Sequence, residues 1–424
     1  MTKSVIRLYW WTYPSRIALF VMLPIFLACA ALGEADYAVY KHSHKFLTGD
    51  AVYLGVAAII GFALFSFLFE PRRALPEIAQ RIPAAALDRA IAVIGTLVVF
   101  AYVMFLSPLL IKPQLILEHM QGSSTAMYTL RETLNRVPGV TSFMSLQSLL
   151  AVLIICYTHL TGQARPPLLR WLLVAVAVCC VLRSWLWSER LATIELFLPI
   201  MLLMFARISP AWSERPLRPF AFAPVGGFVA LLAVFTLGEY FRSWQFYQHV
   251  FPGTFAEFIA VRFAGYYATA LNNGAALITL VDPFNSPVMT GDWLAKFPLF
   301  DLQSAASANF ESMQFLDAYL NPELNNMSGI FLPIADFGPV AGLLAWCGLG
   351  ALSGWLLRSA ASGRVAGLIF YPVWFTGVIE MLRVFYWGET RFFPVVLGGL
   401  ALTWYLKRQS ERQFSPDLAS VARA

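Results

Sequence analysis

Six arginines lie beside aromatic residues or inside apolar stretches of the chain, where a charged side chain needs a reason. They are Arg183, Arg190, Arg242, Arg262, Arg383 and Arg391. A guanidinium offers a planar fork of donors that matches phosphate oxygens two at a time. Lysine is nearly absent from the set, which favours geometry-specific binding of an anion. The plainer interpretation is that each arginine ends a helix and anchors it at the lipid headgroups.

Two carboxylates, Glu195 and Glu380, lie inside apolar segments. An unpaired charge is costly in a membrane, so each marks either an ion pair or a functional site. Glu195 follows Arg190 by a turn and a half of helix and Glu380 precedes Arg383 by three residues, so ion pairs within one helix are possible. The functional alternative is a general base. A carboxylate between apolar walls holds a proton more readily than one in water, and can take it from a sugar hydroxyl.

Familiar cofactor motifs are absent from the sequence. There is no P-loop, dinucleotide fingerprint, HExxH, GxSxG or paired-Asp motif for a nucleotide-sugar donor. The five cysteines fall inside apolar runs without metal-ligand spacing. The sequence therefore predicts no cofactor and no metal. It argues against an ATP-driven pump and a metal-dependent cytoplasmic sugar transferase.

The composition predicts an all-α, polytopic membrane protein. Apolar residues make up 59% of the chain, charged residues only 13%, and mean hydropathy is +0.66. A soluble domain carries about 25% charged residues. Ten apolar runs are long enough, or nearly so, to span a bilayer. They are 17–33, 51–69, 90–111, 142–160, 169–187, 191–206, 221–239, 334–357, 365–382 and 391–406.

The distribution of basic residues predicts the orientation of these spans. With both termini in the cytoplasm, the inner segments hold 18 of the 30 Lys and Arg residues in a shorter total length. The net charge of +6 therefore indicates orientation and not a nucleic-acid partner. Residues 1–424 are expected to form one membrane domain with a long periplasmic loop at 240–333 and a cytoplasmic tail at 407–424. The interrupted run 254–281 is predicted to be re-entrant or interfacial, since a full crossing would invert the later loops.

Four segments resemble the bacterial O-antigen polymerases, the Wzy-type oligosaccharide repeat-unit polymerases. They are RSWLWSERLATIEL, RFAGYYATALNNG, NPELNNMSGIFLPIADFGP and MLRVFYWGETRFFP. Together they lie between about residues 180 and 400, and the first half of the chain is similar to the family only in hydropathy.

The resemblance implies a GT-C-like enzyme of the bacterial inner membrane, acting at the periplasmic face. It would transfer a growing glycan from undecaprenyl pyrophosphate to the sugar end of a lipid-linked repeat unit, without metal or nucleotide. Its expected partners are that lipid-linked oligosaccharide and membrane lipid, with a chain-length regulator as a further candidate and no nucleic acid. The related O-antigen ligases lead us to expect a functional histidine in a large outer loop, where only His249 is available.

The resemblance also implies roles for individual residues. Cations would stabilise the pyrophosphate leaving group and a carboxylate would act as base. The residues expected in catalysis are Glu195, Glu380, Arg190, Arg262 and Arg391. Those expected to bind substrate are Arg183, Arg242, Arg383, Tyr266, Tyr267, Asn272, Asn273, Asn325, Asn326 and Glu389. Turn formation and helix capping explain Asn325 and Asn326 equally well.

Two other classes fit the same residues. A transporter or flippase for an anionic lipid-linked substrate would also place arginines in a cavity, although the sequence shows no internal repeat. A ligase-like glycosyltransferase would use the same lipid-linked donor. A cavity open to the cytoplasm would favour transport.

Overall fold

A computed structural model describes most of the chain and shows an all-helical membrane protein. The described residues are 8–41, 43–72, 81–114, 116, 133–134, 137, 139–187, 191–205, 222–291, 293 and 324–414. Within these ranges the regular structure is helical and no strand occurs. The predicted all-α membrane class is therefore confirmed.

The helices are numbered here in chain order. The first six are α1 (Pro14–Ala31), α2 (Glu34–Lys41), α3 (Gly49–Phe69), α4 (Ala84–Ile111), α5 (Thr141–Thr161, opening with a 3-10 turn) and α6 (Pro167–Trp187). The next six are α7 (Leu191–Phe205), α8 (Ala223–Glu239), α9 (Phe255–Leu280), α10 (Leu332–Ala361), α11 (Val365–Glu380) and α12 (Phe392–Phe414). Short 3-10 turns at Trp10–Thr12 and Tyr386–Gly388 lie outside them.

Six of these helices, α1, α3, α4, α5, α6 and α10, are long and apolar enough to cross a membrane. Three shorter apolar helices, α7, α8 and α11, match further runs of the ten that the sequence predicts. The tenth run, 391–406, corresponds to the first part of α12, which begins at Phe392 and continues as helix to Phe414, beyond the start of the predicted tail. The count of ten crossings remains a prediction.

The centre of the bundle is built around α5 and the pair α3–α10. In the most apolar stretch of α5, 78% of the residues are buried, whereas in that of α6 only 17% are. Helix α5 therefore lies inside the bundle and α6 lies at its periphery. Gly350 and Gly354 of α10 let the backbones of α3 and α10 meet. A methyl group at Gly350 would lie 2.2 Å from the Phe62 carbonyl oxygen, and one at Gly354 would lie 2.3 Å from that of Ser66. This small-residue spacing permits close helix contact in membranes.

Helix α10 is broken near its start at Gly338, which has φ +78°. The break separates a short first piece from the long span that begins at Pro339. Asp336 in the first piece does not cap the span; its buried carboxylate accepts the backbone N–H groups of Met289 and Thr290 at 2.9 and 2.7 Å. Asp336 therefore holds the 289–290 loop against the first piece of α10.

Helix α9 is continuous from Phe255 to Leu280 and starts with a capping box formed by Thr254 and Glu257. It occupies the run that the sequence predicts to be re-entrant or interfacial. It is not among the six candidate spans. Its second half is buried, and an Asn272 side chain in that half holds the loop before α3. In the described residues this segment is thus one unbroken helix, with its C-terminal half packed against the bundle.

Candidate functional site

Glu195 and Arg391, 196 positions apart in the chain, form an ion pair at one end of the bundle. Arg391 Nη1 lies 3.5 Å from Glu195 Oε1, with the Glu195 side chain 2% exposed and the Arg391 side chain 29%. Glu195 projects from the first turns of α7, and Arg391 directly precedes α12. The ion pair that the sequence suggests between Glu195 and Arg190 is not described, because Arg190 lies outside the described residues.

Tyr386 is a third member of this site, and the sequence did not predict it. Its buried hydroxyl hydrogen-bonds to the Glu195 side chain. Burial, followed by the charge of Glu195, raises the pKa of Tyr386 well above its usual value. The phenol therefore stays protonated and donates to the carboxylate. The only sequence signal for it was its place between Arg383 and Arg391.

Glu380 and Arg383 form a second and shorter ion pair beside the first. Arg383 Nε donates to Glu380 Oε2 at 2.7 Å, which confirms the predicted pairing at helical spacing. The Arg383 charge also acts on Tyr266 and Tyr267 of α9, and Glu380 lies within electrostatic range of Tyr267. The structure thus brings two predicted sugar-binding tyrosines to the predicted arginine.

We call Glu195, Arg391, Tyr386, Glu380 and Arg383 the paired-charge cluster. Glu380 acts electrostatically on Tyr386, so the two ion pairs belong to one site. The segment 381–391, between α11 and α12, supplies three of its five members.

Close packing holds the 381–391 segment in place. Gly329 fits against the Val384 carbonyl oxygen, where a methyl group would lie at 2.6 Å. Gly388 fits against Thr290 in the same way, at 2.2 Å from its carbonyl oxygen. Trp387 is buried between Trp374 and Phe62, and its indole N–H donates to the Trp374 carbonyl oxygen at 3.2 Å. The charges are therefore carried by a rigid support.

Arg183 reaches the same region through hydrogen bonds. Its side chain hydrogen-bonds to Tyr102 of α4, whose hydroxyl donates to Gln147 at 2.5 Å. Gln147 in turn donates to the Ala192 carbonyl oxygen at 3.2 Å, one turn before Glu195 on α7. Neither Tyr102 nor Gln147 was recognised from the sequence, because each lies in an apolar run without any motif.

Arg262 occupies a separate buried site. Its Nε lies 3.4 Å from Glu239 Oε2 and its Nη2 donates to Ser243 at 3.3 Å. Its guanidinium carbon also lies 5.6 Å from the centre of the Tyr247 ring. The Glu239 side chain is fully buried. These contacts join α9 to α8 and the π-helical turn Tyr240–Trp244 that follows it, which gives Arg262 a structural role the sequence did not predict.

The two neighbouring asparagines of α9 hold loops. Asn272 accepts from the backbone N–H groups of Phe46 and Leu47 at 2.7 and 3.1 Å and donates to the His44 carbonyl oxygen at 2.6 Å. Asn273 donates to the carbonyl oxygens of Leu324 and Asn326 at 2.8 and 3.1 Å. Both asparagines are completely buried. Their amides organise the protein's own backbone, where the sequence predicts contact with sugar.

The remaining predicted residues are less informative. Asn325 is exposed, while Asn326 and Glu389 are half-buried, the latter directly before the turn that leads to Arg391. The Arg242 side chain, like Arg190, lies outside the described part of the structure. His249 is exposed on the connection between α8 and α9.

The described charges of this region are close to balanced. Arg183, Arg383 and Arg391 lie in or next to the paired-charge cluster, as do Glu195, Glu380 and Glu389. An arginine charge in a site shielded from water acts more strongly on an anion than one at a surface. A small cavity of about 20 Å³ lies at the opposite end of the bundle, lined mainly by apolar residues that include Leu202, Leu357 and Leu368. It lies away from the paired-charge cluster and is too small for a sugar or a phosphate.

Comparisons with protein-family models, with curated proteins and with solved structures find no match for this chain. Function is therefore inferred from the paired-charge cluster and from the four sequence segments.

Proposed function

We propose that this protein is a membrane glycosyltransferase that polymerises lipid-linked oligosaccharide repeat units. The observation that carries the proposal is the paired-charge cluster. Two buried carboxylates and their arginines come from α7, α11 and the 381–391 segment and meet at one end of a membrane bundle. A sugar transfer that releases pyrophosphate requires both a base and cations near one point.

The cluster suits a coupled transfer step. The acceptor hydroxyl oxygen attacks the anomeric carbon of the donor sugar, and the carbon–oxygen bond to the pyrophosphate breaks. The hydroxyl proton passes to Glu195, and the bonding electrons leave with the pyrophosphate. Once Glu195 is protonated, its negative charge no longer offsets that of Arg391, so the guanidinium acts more strongly on the leaving group. The proton acceptor and the cation are therefore linked by one ion pair.

We assign the base to Glu195 and not to Glu380. The Glu195–Arg391 distance of 3.5 Å is longer than a tight charge-assisted hydrogen bond, so the carboxylate can exchange partners. Glu380 accepts a hydrogen bond at 2.7 Å from Arg383, three residues later, and so holds that arginine within electrostatic range of Tyr266 and Tyr267. Glu380 is thus a positioning residue.

The proposal places this site on the periplasmic side of the bacterial inner membrane, with undecaprenyl pyrophosphate as the carrier. The orientation of basic residues and the four sequence segments support this placement. Neither a metal nor a nucleotide takes part in the proposed step.

The decisive experiment uses purified full-length protein in detergent micelles with a lipid-linked repeat unit and no ATP. Product length is followed by mass spectrometry. We expect wild type to form longer lipid-linked glycans, and R391A and E195Q to lose at least a hundredfold in rate. The matched control R408A, at the far end of α12, should retain wild-type activity. Micelles contain no compartments, so a transporter would give no product in this assay.

Absence of elongation by well-folded wild-type protein would refute the polymerase proposal. If both R391A and E195Q elongate the glycan at the wild-type rate, the protein is a polymerase but the paired-charge cluster is not its active site.

A further inference from the structure

Three arginines meet at the other end of the bundle from the paired-charge cluster. Arg81 precedes α4, Arg165 lies in the turn between α5 and α6, and Arg170 lies in the first turn of α6. We call this group the arginine site.

Hydrogen bonds and close packing fix the arginine site. The backbone N–H of Ile82 donates to the Leu160 carbonyl oxygen at 2.8 Å, and Ser410 of α12 donates to the Arg81 carbonyl oxygen at 3.0 Å. The Arg81 guanidinium rests on Gly162, where a methyl group would lie 1.9 Å from its Nη1. Gly162 ends α5 with φ +72°, which favours glycine. Segments far apart in sequence thus converge on one turn.

The positive charge at this turn is not neutralised by the described residues. Arg165 is half-buried, and its Nη2 donates to the Ile155 carbonyl oxygen at 3.0 Å. Its Nε is buried and has no hydrogen-bond partner within the described structure. Burial, and then the neighbouring charge of Arg170, lower the pKa of Arg165. In the described ranges, no carboxylate lies within 4.0 Å of Arg81, Arg165 or Arg170.

An apolar stripe begins beside these charges on the outer face of α6. Its members recur at helical spacing and are at least half exposed: Leu168 (75%), Trp171 (71%), Val174 (50%) and Val178 (61%). Such a surface on a membrane helix faces lipid chains. The exposed Trp171 is adjacent to Arg170, an arrangement typical of the membrane interface.

We propose that the arginine site binds the phosphate headgroup of an anionic phospholipid whose acyl chains lie along this stripe. Arginine forks match phosphate oxygens, and basic pockets between membrane helices bind anionic headgroups. An orientation signal needs only charge near a helix end, whereas here a half-buried guanidinium with a spare donor sits next to a second one. The apolar stripe selects a lipid over a free anion. This site is independent of the proposed glycan chemistry.

The test uses full-length protein in neutral detergent, with lipid retention measured by native mass spectrometry. The probes are phosphatidylglycerol, phosphatidylcholine with the same acyl chains, and inorganic phosphate. The variant R165Q/R170Q is compared with K407Q/R412Q, which removes the same charge from α12 at the same end of the bundle. We expect about fivefold weaker phosphatidylglycerol binding per arginine removed, hence roughly 25-fold for the double variant, and little change in the control.

Equal loss in both double variants would overturn the proposal, since bulk charge would then account for binding. So would equal retention of phosphatidylcholine, or wild-type binding by R165Q/R170Q. Retention of inorganic phosphate as strong as that of the lipid would reduce the site to an anion site and also overturn it. If the double variant does not fold, the single variant R170Q is tested instead, because Arg170 is exposed. Its phosphatidylglycerol binding should be about fivefold weaker than that of wild type.

Discussion

The Glu195–Arg391 pair offers a sharp test of the site independent of activity. We would replace Glu195 with Gln, which keeps the size of the side chain and an oxygen for Tyr386 but removes the charge. Arg391 would be replaced with Gln, and the two changes combined. If the pair stabilises the fold, the double variant should be less destabilised than the two single effects added together.

The expected size of this coupling follows from the geometry. At 3.5 Å and an effective dielectric constant of about 20, the attraction is roughly 5 kcal/mol before other terms. Desolvation of the fully buried Glu195 cancels much of this. Arg391 retains 29% exposure and can recover solvation when its partner is lost. We therefore expect a net coupling energy of about 1–2 kcal/mol. This is larger than the coupling of an exposed ion pair and smaller than that of a fully buried one.

Equilibrium unfolding of the four proteins in mixed micelles would measure the coupling. The Glu380–Arg383 pair serves as a comparison: its 2.7 Å distance is shorter and its arginine is more buried than Arg391, so it should couple more strongly. If the single effects of E195Q and R391Q add within about 0.5 kcal/mol, the two residues do not interact and the linked proton–cation step loses its basis.

Three further outcomes are expected in the same unfolding assay. Asn272→Ala removes three hydrogen bonds of a buried amide and should cost about 2–4 kcal/mol, whereas exposed Asn325→Ala should change stability by less than about 0.5 kcal/mol. Gly350→Ala should cost about 1–3 kcal/mol by forcing α3 and α10 apart, whereas Gly348→Ala, which meets nothing within 4 Å, should gain about 0.5–1 kcal/mol. Glu239→Gln should cost about 3–5 kcal/mol, and a neutral effect would contradict the buried pair with Arg262.

Hydropathy located the apolar helices well because it is a local property. The run 51–69 corresponds to Gly49–Phe69, and 169–187 corresponds to Pro167–Trp187. The contact between Asp336 and the 289–290 loop was not predicted, and neither were the partners that bury Asn272 and Asn273 of α9. Contacts of this kind leave no periodic signal in the sequence.

The sequence predicted which types of residue form the candidate site, but only some of the ion pairs between them. The Glu380–Arg383 pair follows from helical spacing, so the sequence was sufficient for it. The partner of Glu195 lies 196 positions away, and Arg262 pairs with Glu239 of a different helix. No rule of spacing predicts such pairs. Nothing in the sequence distinguishes Tyr386, because a buried tyrosine in an aromatic segment is typical of ordinary packing.

The distance along the chain between Glu195 and Arg391 has a consequence for biogenesis. During synthesis, the ribosome makes α7 long before it makes Arg391. Until the 381–391 segment packs against α7, Glu195 lacks this partner, and the end of the bundle that holds the paired-charge cluster is incomplete. A chain cut short before Arg391 would never gain this contact, so a truncated product is expected to be less stable even though most of its helices are present.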